Sequence, residues 1–350
     1  MMATSYLGWL REHIGHQKII STGAVAVIRD ERGRVLLQKR RDFGVWGLPG
    51  GLQELGERVD ETVRRETSEE VGLEVEPKRI IGIYTSPRLD RSFPNGDQVQ
   101  PYLVSFECEI VGGALKMEEA EVLAIDWFDF DRLPPMTPVT QQALRDAQNF
   151  RGEAFFEIVD SVIASGAKQS PTRDSETLAP HASAGVASSQ KTLLAMTNYV
   201  AWLRQYVGHA KIILPGAAGM VRDAQGRVLL QRRRDNGLWG FPGGLIELGE
   251  SATDAVRREF REEVGLQIEP KRLVGVYTSL DFDRSYPNGD QSQLFASFFE
   301  CETIGGELQM QEEEVLELGW FDLDNLPPMI ACCAAKARDA RIFNGEAFWR

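Results

Sequence analysis

The sequence predicts a protein of the α/β (α+β) class built as two similar domains, and three observations carry that expectation. A 23-residue string occurs twice, one fixed offset aligns the chain with itself around that string, and short apolar runs alternate with amphipathic stretches. The string Gly51-x5-Glu57-x7-Arg65-Glu66-Thr67-x-Glu69-Glu70-x-Gly72-Leu73 returns as Gly244-x5-Glu250-x7-Arg258-Glu259-Phe260-x-Glu262-Glu263-x-Gly265-Leu266. The same offset of 193 residues pairs Tyr6 with Tyr199, Trp9 with Trp202, His16 with His209, Cys108 with Cys301 and Trp127-Phe128-Asp129 with Trp320-Phe321-Asp322. A period this long exceeds any solenoid repeat, so each copy is a whole domain.

Taken in order, each copy opens with an amphipathic helix, marked by Leu7, Leu10 and Ile14 and by Val200, Leu203 and Val207. Gly23–Ile28 and Val35–Gln38 read as strands joined at Asp30-Glu31-Arg32-Gly33, which predicts a hairpin. The string begins in Pro49-Gly50-Gly51 and continues as a helix. After it, Ile80–Thr85, Val99–Glu107 and Val122–Phe128 read as strands, with Asn95-Gly96 as a turn, and Gln141–Gln148 as a terminal helix. The expected architecture is a mixed sheet sandwiched by helices.

Between the copies the composition shifts to Ala, Ser, Thr and Gly, with Pro171 and Pro180 and almost no aromatics. Such a stretch buries too little surface to offset its ordering entropy. The expected division is residues 1–157, a flexible linker over 158–198 with a short helix near Leu193–Met196, and residues 199–350. Met196-Thr197-Asn198-Tyr199 lines up with the first residues of the chain to within a residue, which suggests that Met196 was once a start codon.

A chain of 350 residues suits two domains, each long enough to bury a core. The net charge of −13 disfavours a long nucleic acid or an anionic membrane as partner, while a small polyanion can still be held locally by arginines and a metal. The chain lacks an apolar run of about 18 residues or more, and its start carries charges where a secretory leader needs an apolar core. The four cysteines show neither a disulfide framework nor zinc spacing. A soluble, cytoplasmic protein is the expectation.

Within the string, Val59, Val63, Thr67 and Val71 step by four and form one stripe, repeated as Ala252, Val256, Phe260 and Val264. Glu66, Glu69 and Glu70 share a face about a quarter turn away. Carboxylates crowded into one turn repel each other unless a cation sits among them. Oxygen ligands without His or Cys suit Mg²⁺ or Mn²⁺, which take phosphate oxygens as remaining ligands. Two strings imply two cation sites, each suited to hydrolysing a diphosphate.

Both strings resemble the Nudix box, the signature of hydrolases acting on nucleoside diphosphates linked to another moiety. The resemblance covers both copies and implies two α/β/α sandwiches, each with a mixed sheet. The second copy matches throughout; the first has Thr67 at a usually apolar position, a departure that touches packing and leaves the acid face intact. By this resemblance Arg65-Glu66 and Arg258-Glu259 are the box Arg-Glu pair, and Glu69-Glu70 and Glu262-Glu263 the paired glutamates. It implies metal binding by Glu66, Glu69 and Glu70 and by Glu259, Glu262 and Glu263. Glu57 and Glu250 are outer or water-bridged ligands, and the carbonyls of Gly50 and Gly243 further ones. Arg65 and Arg258 orient a carboxylate. Glu121 and Glu314 match a further family glutamate, as ligand or general base, and which carboxylate is the base stays open.

The implied reaction is metal-assisted hydrolysis of a pyrophosphate bond in a nucleoside triphosphate, ADP-ribose or a dinucleoside polyphosphate. A nucleotide-binding sensor without cleavage is the alternative; such proteins lose box glutamates, and here both boxes keep them. Domain pairing within the chain, or a homodimer, is the expected association. Elsewhere, Asp90–Asp97 and Asp283–Asp290 read as a hairpin tip or as a lip that stacks on a base. Lys39-Arg40-Arg41 and Arg232-Arg233-Arg234 read as strand ends or phosphate contacts. His16 and His209 read as helix C-terminal cations, and Cys108 and Cys301 as buried and inert.

Overall fold

The computed structural model describes residues 5–42, 44–156 and 199–350; the expected linker, its short helix and Met196 lie outside them. In the first copy α1 (Tyr6–Ile14) precedes β1 (Ile19–Ile28), β2 (Val35–Arg40), β3 (Trp46–Gly47) and β4 (Gly50–Leu52). Then come the box helix α2 (Val59–Val71), β5 (Leu73–Thr85), a 3-10 turn (Pro87–Leu89), β6 (Arg91–Ser92), β7 (Gln98–Gly113), β8 (Val122–Phe128) and α3 (Pro138–Asn149). The second copy repeats the order as α4 (Tyr199–Val207), β9 (Ile212–Met220), β10 (Val228–Arg233), β11 (Trp239–Gly240), β12 (Gly243–Leu245) and α5 (Ala252–Val264). It continues with β13 (Leu266–Tyr277), β14 (Arg284–Ser285), β15 (Gln291–Gly306), β16 (Val315–Phe321), α6 (Ala331–Ile342) and β17 (Phe348–Trp349).

The first copy holds a mixed sheet, ordered β4-β1-β7-β5 with β6 beside β7, and a small antiparallel sheet β3-β2-β8; the second holds β12-β9-β15-β13-β17 with β14 beside β15, and a small sheet β11-β10-β16. The sheet is mixed because β1 and β7 run parallel, from Ile19 beside Val99 to Ile28 beside Cys108. β1 and β2 do not form the predicted hairpin: β1 belongs to the mixed sheet and β2 to the small one, and only a single bridge, Arg29 to Val35, links them across the Asp30–Gly33 turn. The sequence showed the turn, but two apolar runs beside a turn also suit a corner between two sheets. The Asn95-Gly96 turn does close a pairing, that of β6 with β7.

The predicted stripe of the box helix is buried without remainder: Val59, Val63, Thr67 and Val71, and likewise Ala252, Val256, Phe260 and Val264, are all 0% exposed. These faces pack on β1, β4 and β5 in one copy and on β9, β12 and β13 in the other. On the far side α3 is locked to β5 by a buried network. The Tyr84 hydroxyl donates to Asp146 Oδ2 at 2.9 Å and Gln142 Nε2 donates to Asp146 Oδ1 at 2.8 Å.

The two copies share a core. The largest buried cluster joins Leu10, Ile14 and Phe106 of the first to Tyr199, Leu203 and Phe299 of the second. Bonds cross in matched pairs: Ile213 N–H donates to the Tyr6 hydroxyl at 2.9 Å and Ile20 N–H to the Tyr199 hydroxyl at 3.1 Å. The end of each copy also crosses over, Phe156 lying edge-on to Phe299 and Trp349 to Phe106.

Candidate active site

The second half of the box helix lies against the glycines of β4, and residue 51 must be glycine because the acid face rises into it. A Cβ on Gly51 would sit 2.5 Å from the Glu66 carboxylate, and one on Gly244 would collide with Glu259. Gly50 has a φ of 138° and packs against the backbone of β1, so its N–H is aimed at the helix, donating to Glu70 Oε2 at 2.8 Å. Gly243 donates to Glu263 Oε2 at 2.9 Å in the same way.

Beside these glycines an arginine organises the carboxylates. Arg65 Nε donates to Glu57 Oε1 at 2.5 Å, its Nη1 reaches Glu66 at 2.9 Å and Glu69 at 3.0 Å, and its Nη2 donates to the Leu52 carbonyl at 3.0 Å. Arg258 repeats the set on Glu250, Glu259, Glu262 and the Leu245 carbonyl. The oxygens of Glu57 are all engaged, with Arg65, with the Glu54 N–H and with the Thr62 hydroxyl. Glu57 therefore holds the arginine rather than facing an open position. Glu69 lies at the solvent side, its side chain 61% exposed, whereas Glu70 is 3% exposed and Glu66 lies half-buried between them.

Burial dominates the electrostatics. It pushes Glu66 up to about 7, helped by the charges of Glu69 and Glu121 and opposed by Arg65. It pushes Glu70 also to about 7, against the Gly50 N–H, Arg40 and Gln38, with Glu66 adding repulsion. Glu263 is driven to about 7 by burial and by Glu259, and Glu259 itself is raised by burial, with Glu262 and Glu314 contributing. Glu121 and Glu314 thus stand close enough for the innermost carboxylates to feel their charge, on the exposed approach to β8 and β16.

Among the described residues no three His, Cys, Asp or Glu side chains converge on one ion-sized point. The residues nevertheless fit a hard divalent cation. Two carboxylates forced together in a water-poor place, each favouring its proton, are the state a cation would relieve. A buried acceptor also stands spare in each copy: Gln38 Nε2 donates to Glu70 at 2.5 Å while its Oε1 has no partner, and Gln231 Oε1 is equally unpartnered.

Gln38 and Gln231 were missed by the sequence reading. Each ends an apolar run, Val35-Leu36-Leu37 or Val228-Leu229-Leu230, and both are buried, but a single polar residue at a strand end carries no mark of what it will meet. Of the basic triplets, the middle residue turns to the site: Arg40 Nη1 lies 3.6 Å from Glu70, while Arg41 donates to the Glu119 carbonyl. Phe93 packs against the core instead of standing free at a lip. His16 and His209 bind Asp97 and Asp290 at 2.7 Å, tying the first helix of each copy to its turn. Cys108 and Cys301 are buried, which pushes their thiols up.

An acid-faced helix seated against a glycine-bearing strand, over a mixed sheet and written twice, defines an α/β sandwich class with one carboxylate site per copy. The family model described as NUDIX domain matches residues 20–147 and again residues 213–340, and the chain belongs to that family twice over. It is 38% identical over 110 residues to an ADP-ribose pyrophosphatase of Methanocaldococcus jannaschii, an alignment that takes in 31% of this chain and 61% of that protein's length. It is 30% identical over 140 residues to a putative 8-oxo-dGTP diphosphatase of Bacillus subtilis, covering 40% of this chain and 87% of the relative. Among solved structures, an ADP-ribose pyrophosphatase from Streptococcus suis is 27% identical, covering 39% of this chain and 98% of that one with a TM-score of 0.31.

Proposed function

We propose that each copy is a working pyrophosphohydrolase for small nucleoside diphosphate derivatives of the nucleoside triphosphate, ADP-ribose or dinucleoside polyphosphate type. The division at 1–157, 158–198 and 199–350, and the pairing of the copies within one chain, belong to the same proposal. The observation that carries it is the pair of Glu66, half-buried, and Glu70, buried, against Gly50 and Gly51 of β4, repeated as Glu259 and Glu263. Such a pair is costly to ionise alone and is stabilised by a divalent cation. Glu66 and Glu70 would hold Mg²⁺ or Mn²⁺, with the Gly50 carbonyl and Glu69 as further ligands, and Glu259, Glu263, Gly243 and Glu262 would do so in the second copy. Bound there, the cation would supply Lewis acidity toward the diphosphate and lower the pKa of a water.

The chain's own residues do the rest. Arg65 and Arg258 fix the carboxylates in place through charge-assisted hydrogen bonds, and Glu57 and Glu250 fix the arginines. Glu121 and Glu314 would serve as a further ligand or as the general base toward an attacking water, a reading supported by the charge each exerts on Glu66 or Glu259. Arg40 and Arg233 bring positive charge beside the buried pair, where phosphate oxygens would lie. The test is to incubate the protein with Mg²⁺ and a panel of nucleotide diphosphate derivatives, with EDTA as control, and to identify products by mass. Hydrolysis at a phosphoanhydride, lost with EDTA, is the expected result; tight binding without products would favour a sensor.

A further inference from the structure

The loop that leads into each box helix is held by the opposite copy. Gln293 on β15 is fully buried, and both ends of its amide are spent on the first copy: Gly56 N–H donates to its Oε1 at 2.8 Å and its Nε2 donates to the Glu57 carbonyl at 2.7 Å. Gln100 on β7 does the same for the second copy, accepting from Gly249 N–H at 2.8 Å and donating to the Glu250 carbonyl at 2.6 Å. The first turn of each helix is treated alike. Val59 N–H, one of the donors a helix start leaves without a partner, donates to the Thr278 hydroxyl at 3.0 Å, and Ala252 N–H donates to Thr85 at 2.7 Å.

We propose that each active site is completed by the other copy, Gln293 and Thr278 being positioning residues for the Glu66–Glu70 site and Gln100 and Thr85 for the Glu259–Glu263 site. The route is short. Gln293 fixes the backbone at Glu57, whose carboxylate fixes Arg65, which fixes Glu66 and Glu69. A glutamine in one copy thereby sets the carboxylate geometry of the other, as partners behind metal ligands do elsewhere. This inference rests on reading both boxes as active sites.

Two backgrounds isolate the sites: Glu263→Gln leaves the first working and Glu70→Gln the second. Adding Gln293→Met to the first background should lower kcat and weaken activation by Mn²⁺ about tenfold or more, the range found for such supporting residues. Added to the second background it should leave turnover within twofold. Gln100→Met should give the mirror result. Thr278→Val, which keeps shape and removes one hydroxyl, should show the same crossed pattern at smaller size if the glutamine variant folds poorly. Two readouts need no turnover: hydrogen exchange of residues 53–58 should speed up in Gln293→Met while residues 246–251 stay protected, and Mn²⁺ titration by electron paramagnetic resonance should show one weakened site. Equal losses in both backgrounds, or no change at the first site and in its loop, would overturn the proposal. If neither background hydrolyses any substrate, the hydrolase reading falls, and the exchange and Mn²⁺ titration alone decide for or against the crossed support.

Discussion

The two box helices solve one packing problem in two ways, and exchanging the solutions tests the account of the core. In the first copy Thr67 faces a sheet carrying Ala26; in the second Phe260 faces Gly219, the residue at the same offset. All four positions lie in the interior, and a Cβ on Gly219 would come within 2.8 Å of Phe260 Cε2 and 3.0 Å of Val256 Cγ2. Phenylalanine on the helix and a methyl on the strand therefore exclude each other. Thr67→Phe alone should overpack the first copy and cost about 1–3 kcal/mol. Ala26→Gly alone should cost about 1–2 kcal/mol, from the lost methyl burial and the added backbone freedom. Combined, they should recover most of the loss, giving a favourable coupling of about 1–3 kcal/mol. Thr67→Val separates volume from polarity: the Thr67 hydroxyl is buried without a partner, so its removal should stabilise by about 1 kcal/mol. Urea denaturation of the four proteins of the cycle, with Thr67→Val as the fifth, measures these quantities. Additivity of the two changes to within about 0.5 kcal/mol would refute the exclusion, since coupling is what the geometry demands.

Three further outcomes are expected. Glu70→Gln together with Glu263→Gln should abolish hydrolysis while leaving circular dichroism unchanged, because the new amide oxygen can still accept from Gly50 N–H; wild-type turnover would show that these residues are misassigned. Glu70→Gln and Glu263→Gln taken singly should give unequal kinetics, since Arg88 stands where the second copy has Asp281 and Thr67 where it has Phe260; identical rates and substrate profiles would show that these differences do not matter. Burial raises Asp146 to about 6, so its contribution to stability is fully present below pH ~4 and is lost as pH rises through 6; relative to Asp146→Asn, the wild type should lose about 2 kcal/mol over that window, and parallel curves would refute the assignment.

Much of the fold was legible because its periodicities are local. The stripe at Val59, Val63, Thr67 and Val71 announced both the box helix and its buried face, and β8 ran from Val122 to Phe128 as its apolar residues suggested. What local pattern cannot carry is which sheet a run joins, and the split of β1 from β2 depends on β7 pairing with β1 some 80 residues on. The site divides in the same way. Residues close in sequence, from Glu57 to Glu70, were readable as one group from their spacing. Gln38 was not, because a glutamine in a strand carries no periodic mark, and its role exists only once β2 passes beside Glu70. Nor did spacing separate Glu69 from Glu70: a difference of one residue along the helix turns one to solvent and the other inward.

Joining the copies in one chain changes what dilution can do. Were the two halves separate molecules, the amides of Gln100 and Gln293 would meet their loops only as often as mass action allowed, and a scarce protein would spend time with its loops unsupported. A covalent tether replaces that bimolecular encounter with an intramolecular one, whose frequency does not fall as the protein is diluted. Each box helix then keeps its support at any abundance, and the identity of the supporting copy is never in question. The arrangement also frees the halves to differ, as Ala26 with Thr67 and Gly219 with Phe260 already do, because neither half must remain complementary to a copy of itself.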